Sequence, residues 1–167
     1  LDMDFKTTYV SPSVEKVLGV TPEERKNQKF EDMITPDSLE RVMNRFMKEL
    51  DTDQSPDTDS NRAIIIDVEY YHRDGSIVWM ENQVKALRNE NGKIVGMYGA
   101  SRDITARKAV QEALRKSEEK LRNIVENSSN LFYSHTADHE LIYLSPQCRE
   151  FLQCEPEEAM VRWTEFA

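Results

Sequence analysis

The residues with chemistry to offer are few and scattered. There are two cysteines, Cys148 and Cys154, and three histidines, His72, His135 and His139. Two histidine ligands four residues apart need one helix face. His135 and His139 flank a turn at Ala137-Asp138, which supplies none. No metal site is expected. Asp51-Thr52-Asp53-Gln54-Ser55-Pro56-Asp57 opens like a calcium loop. Pro56 stands where such a loop turns on glycine, and Arg62 where it needs a bidentate glutamate. There is no glycine-rich phosphate loop and no G-x-S-x-G. The carboxylates are many but spread over surface positions, so no general acid–base pair can be assembled. The expectation is a chain without catalytic residues. Its two cysteines are too few for a disulfide framework and fit a reducing compartment.

The chemistry that remains is recognition. Met43, Phe46 and Met47 stand on one predicted helix. Val68, Trp79, Met80, Val84, Met97 and Tyr98 stand on predicted strands. These residues are expected to line a pocket between helix and sheet, because methionines and aromatics make an adaptable apolar lining. The same residues can instead fill a solid core. A small-molecule ligand and a packed interior both stay open, no cofactor is indicated, and no charged residue is placed inside to select an anion.

The formal net charge of −9 argues against nucleic acid or an anionic membrane surface as partner. No apolar run is long enough to span a bilayer, and Leu1-Asp2-Met3-Asp4 is no signal peptide. A cytoplasmic location is expected, and a membrane-anchored parent protein is compatible with it.

Elements must position these side chains. A short strand is predicted over residues 7–10. A helix follows from Pro12, with Val14, Val17 and Leu18 on its buried face and Gly19 closing it. Thr21-Pro22-Glu23-Glu24 opens a second short helix as a capping box. A third short piece covers residues 30–34. Residues 38–50 read as a longer helix with Leu39, Val42, Met43, Phe46, Met47 and Leu50 at helical spacing. Residues 51–61 read as a loop. Strands are predicted over residues 64–72, 77–87 and 94–101, joined by hairpins at Asp74-Gly75 and Asn91-Gly92. Gly96 and Gly99 inside the last strand signal close approach of a backbone or a ligand. Together these give an α+β fold, an antiparallel sheet with short helices on one face.

That last strand feeds straight into a helix through Asp103, Ile104 and Thr105, where Asp103 or Thr105 can cap it. The helix is predicted from Thr105 to about Asn127. Val110, Leu114, Leu121 and Ile124 form an apolar seam that Ser117 interrupts. The seam either makes a homodimer or packs back on its own sheet.

The chain also repeats itself. Tyr9-Val10-Ser11-Pro12 recurs as Tyr143-Leu144-Ser145-Pro146, Leu18 as Leu152, and Pro22-Glu23-Glu24 as Pro156-Glu157-Glu158. The expected organisation is a first module over residues 1–105, a linker helix over 106–127, and the opening half of a second module over 128–167. The first copy lacks the counterparts of residues 130–134.

In order and spacing these motifs resemble the PAS family of sensory domains. The resemblance rests on Tyr9-Val10-Ser11-Pro12 with Leu18-Gly19, on Pro22-Glu23-Glu24 and on Thr35-Pro36-Asp37. It continues through Tyr71-His72-Arg73-Asp74-Gly75-Ser76 with Val78-Trp79, Asn91-Gly92 with Gly96, and Asp103-Ile104-Thr105-Ala106-Arg107-Lys108. It implies a five-stranded antiparallel sheet with short helices around a central pocket. It also implies a signalling parent, such as a sensor histidine kinase of a two-component system, with an output domain downstream. Such modules bind small molecules or cofactors, or serve as dimerisation spacers. The missing opening strand raises the expectation that residues 131–136 fill that gap in a second chain by strand exchange. Cys148-Arg149-Glu150-Phe151-Leu152-Gln153 is similar to the cysteine motif of flavin photosensors, but it lies too early in the module and Glu150 interrupts it. Haem-binding members carry a histidine on the long helix, and residues 38–50 hold none.

Overall fold

Period-two alternation builds the sheet. The computed structural model describes residues 1–53, 62–138 and 140–161, without the side chains of 50–53 and 161. β1 (Ile64–Tyr71), β2 (Ile77–Arg88) and β3 (Ile94–Asp103) form an antiparallel meander in that order. Val68 opposes Met80 and Tyr70 opposes Val78, so these residues share one face. Glu69 opposes Trp79 and Asp67 opposes Glu81 on the other. Both predicted hairpins form. Asp74 accepts the Ser76 N–H at 2.9 Å, and these Ser76 bonds hold its carboxyl down to about 2.

Short helices cover the apolar face. They are α1 (Ser13–Leu18), α2 (Pro22–Asn27), α3 (Phe30–Met33) and α4 (Pro36–Asp53). Leu18 and Val20 pack with Val78 and Met80, while Met33 and Ile34 pack with Val68. Gly19 ends α1 at φ 73°, a left-handed cap that glycine adopts without steric cost. The capping box forms as expected: Glu24 N–H donates to Thr21 Oγ1 at 3.2 Å, and Thr21 N–H to the Glu24 carboxylate at 2.7 Å.

Several expectations are corrected. α4 runs on through Asp53, because no glycine or proline interrupts it before Pro56. The predicted loop therefore does not begin at residue 51, and its residues 54–61 lie outside the described ones. On α4, Leu39 and Val42 pack on the core, but Met43 and Met47 are exposed. The apolar spacing is wider than the stripe that the sheet covers.

Residues 7–10 form no strand. The second copy supplies the reason. There β4 (Tyr133–His135) pairs with β5 (Leu141–Leu144), the counterpart of residues 7–10 at an offset of 134. At that offset His135 matches Leu1. A strand without a neighbour has no ladder to join. Instead Leu1 exchanges two backbone bonds with Met97, at 2.8 and 2.9 Å, along the edge of β3.

The chain divides into two units, Leu1–Ala109 and Val110–Ala167, and the division falls inside α5 (Thr105–Glu126). The second unit holds most of α5, the β4–β5 hairpin, α6 (Cys148–Phe151) and α7 (Pro156–Val161). Leu144, Cys148 and Ala159 form its core. Here α2 and α7 start at matching positions, Pro22 and Pro156, at the offset of 134, and Gln153 repeats the left-handed turn of Gly19 at φ 57°. Buried Gln147 donates from Nε2 to the carbonyls of Val125, Glu126 and Ser128 at 2.8–3.0 Å, closing the C-terminal end of α5. No helix among the described residues is long and apolar enough to cross a membrane.

Candidate ligand cavity and strand-to-helix junction

In the first unit a cavity of about 680 Å³ opens between the sheet and residues 1–33. That volume lies within the range of small-molecule sites. Of the nine expected lining residues, Val68, Met80, Val84, Met97 and Tyr98 line it. Met43, Phe46, Met47 and Trp79 do not. Phe46 stacks edge-on against Phe5, 5.0 Å between centroids. Trp79 belongs to the opposite face of the sheet, as its pairing with Glu69 requires.

The side chain that sequence reading missed is Arg25. It lines the cavity and is only 6% exposed. Its guanidinium lies 4.9 Å above the Tyr70 ring, and Nη1 donates to Gln28 Oε1 at 3.1 Å. No carboxylate among the described residues pairs with it. Burial pushes its pKa below the ordinary value and pushes the Tyr70 phenol above its own. Two signals pointed to it. In a helix opened by a capping box, the fourth helical position, here Arg25, is one that an inward-packing residue often takes. The repeat also aligns Arg25 with Ala159, a fully buried residue.

Neighbouring polar groups are already satisfied. Asn82 Oδ1 accepts from Ser101 Oγ at 2.6 Å and from the Tyr70 hydroxyl at 3.4 Å. Asn82 Nδ2 donates to the Met80 carbonyl at 3.1 Å. The helix carrying Arg25 is fixed from outside. Arg73, on the β1–β2 hairpin, donates to the Gly19 carbonyl at 3.2 Å and to the Glu24 carboxylate at 2.8 Å. The Thr21 bonds, with Arg73, hold the Glu24 carboxyl below its usual range.

β3 carries the cavity wall, from Met97 to Ser101, into the junction. Asp103 Oδ1 accepts the Thr105 N–H at 2.8 Å, satisfying one donor of the helix start. Thr105 Oγ1 in turn accepts the Trp79 N–H at 3.0 Å, and the Ile104 N–H donates to the Trp79 carbonyl at 2.8 Å. Ile104 is buried. So the three junction residues divide the work: Asp103 caps, while Ile104 and Thr105 bind β2. The first turn of α5 adds two ion pairs, Lys108 to Asp67 at 2.7 Å and Arg107 to Glu81 at 3.0 Å. Lys108 Nζ also lies 4.7 Å above the Trp79 ring, and Arg41 of α4 lies 5.6 Å from it.

On α5, Val110, Leu114, Leu121 and Ile124 are 55–70% exposed. Charged neighbours are paired along the helix, with Arg115 bonded to Glu112 and Glu119. Among the described residues no cluster of histidine, cysteine or acidic side chains could hold a metal ion. His139 lies outside them. Cys148 is wholly buried in the second core, and burial raises its thiol pKa, the opposite of an activated nucleophile.

Comparison with known proteins adds a family. A model described as PAS fold matches residues 7–101. The two-component sensor PprA of Pseudomonas aeruginosa is 26% identical over 156 residues, 92% of this chain and 16% of that protein. The chain thus spans about a sixth or less of the length of the curated relatives it matches. Among solved structures, a sensory box histidine kinase/response regulator from Burkholderia thailandensis is 29% identical with a TM-score of 0.55. The match covers 69% of this chain and 81% of that one. The N-terminal domain of a diguanylate cyclase with a PAS/PAC sensor, from Marinobacter aquaeolei, shares the fold at 22% identity and a TM-score of 0.50, covering 65% and 94%.

Proposed function

The chain belongs to the PAS fold family, and from that premise we propose that it is a sensory and signal-transmission module of a multidomain signalling protein such as a sensor histidine kinase. One observation carries the reading: β3 is at once the wall of the cavity and the lead into α5, with its end fastened to β2 through Trp79. A ligand that moves β3 against β2 must load the Thr105 and Ile104 bonds. α5 then passes the change to a second PAS module that begins near residue 128, and from there to an output domain. The chain itself carries no catalytic step in this scheme and acts in the cytoplasm.

Amide exchange tests the coupling. The neutral fluorescent probe N-phenylnaphthylamine should occupy the cavity and slow exchange at the Trp79 and Ile104 amides several-fold. Saturated binding with unchanged exchange at both amides would reduce the module to an uncoupled cup.

The exposed stripe on α5 favours a second, compatible role as a dimerisation element. Strand exchange through β4 is not needed for it. Sedimentation should show concentration-dependent association of the chain. The double substitution Leu114→Glu and Leu121→Glu should weaken that association more than tenfold. Unchanged association would move the interface off α5.

A further inference from the structure

We propose that the cavity of the first unit selects a small amphipathic carboxylate, with Arg25 as the group that binds its carboxylate oxygens. The inference rests on the reading of the cavity as a sensory site and names its ligand class.

A guanidinium has five N–H donors in a planar fork. At Arg25 one of its nitrogens meets Gln28, and the Tyr70 ring takes one face. The residue is nonetheless 6% exposed, and no acid among the described residues offsets its charge. A buried cation without a counter-ion is costly. The ordinary outcome would be a carboxylate placed beside it, or a smaller residue. The second copy has taken the latter course, with Ala159 at the same position. In the first copy the charge is kept and the space beside it is open, so the missing half of the ion pair comes from outside.

The remaining walls set the rest of the ligand. Val68, Met80, Val84 and Met97 are apolar. They call for an aliphatic or aromatic body. Arg25 is the one charged side chain among the described lining residues. One unit charge in a fork geometry matches one carboxylate. A phosphate dianion would be left with charge unmatched. The nearby Asn82 does not compete, since its oxygen already accepts two hydroxyls.

The test uses the whole chain and three matched pairs: octanoate, phenylpropanoate and indole acetate, each against its primary amide. Binding is read by displacement of N-phenylnaphthylamine and by calorimetry. At least one acid should bind about tenfold or more tightly than its amide. Arg25→Gln should bring the pair to within about twofold, while Arg25→Lys keeps part of the preference. Equal binding of acids and amides to the unaltered chain would overturn carboxylate selection and leave the sensory cavity standing. Binding of none of the six, or of the neutral probe, would remove the cavity reading as well. An undiminished preference in Arg25→Gln would overturn the role of Arg25. The acid-to-amide ratio of the unaltered chain needs no variant, so a variant that fails to fold leaves the test intact.

Discussion

Gly99→Ala should break the sheet of the first unit. A Cβ built at this position lies 2.2 Å from the Gln83 carbonyl oxygen and 3.1 Å from Val84 Cα. Both obstacles are main chain, so no rotamer change relieves them, and β3 must move away from β2. The cost should be about 3 kcal/mol or more, the upper end of overpacking effects. For a unit of this size that lowers the melting midpoint by roughly 15 °C. Gly92→Ala is the control. It meets nothing within 4 Å and carries only the strain of its φ of 76°, about 1 kcal/mol. Thermal unfolding followed by circular dichroism decides the matter. A Gly99→Ala midpoint within a few degrees of the parent chain would mean that the two strands are not held this closely. Gly99 also lines the cavity, so the same close approach that forbids a side chain keeps β3 seated as its wall.

The second large effect is expected at the junction. Thr105→Ala removes the acceptor of the Trp79 N–H, a half-buried donor whose orphaning should cost about 1–3 kcal/mol. Asp103→Ala frees the Thr105 N–H at the helix start, about 1 kcal/mol by analogy with other helix N-terminal contacts. The two share one corner, so the double variant should lose about 2–3 kcal/mol rather than a simple sum. The specific readout is local. Exchange at the Trp79 amide should rise about tenfold or more while exchange at Val68 barely changes, since 1.4 kcal/mol corresponds to a factor of ten. In the intact parent protein the double variant should uncouple output from input. Thr105→Ser keeps the hydroxyl and should restore both. Normal signalling by the double variant would sink the proposed route through the corner.

Much of the fold was legible because its signals are local. The hairpins lie in Asp74-Gly75 and Asn91-Gly92, the capping box in Thr21 and Glu24, and the three strands in period-two alternation. The junction was legible for the same reason, as three adjacent residues between a strand and a helix. The failures came where a partner decides. Residues 7–10 have strand composition, but a strand forms only against a neighbour, as the paired counterpart β5 demonstrates. Met43 and Met47 have core spacing, but α4 lies along the edge of β1 and meets the core through Leu39 and Val42. Trp79 was expected to line the pocket as part of an adaptable apolar lining. Its parity in β2 puts it on the other face, between Arg41 and Lys108. Arg25 was not singled out, because arginine is a residue type found mostly at the surface. Its position in the capping box and in the repeat asked a different question.

The alignment of Arg25 with Ala159 has a consequence for how such modules diversify. The two copies start their second helix at matching positions, Pro22 and Pro156, and share the left-handed turn before it. At one interior position they differ by a full unit of charge. Caps and turns, which fix the shape, are thereby separated from the residue that sets what the interior will accept. If Arg25 selects the ligand as proposed, one codon resets that choice while the caps and turns around it are left alone.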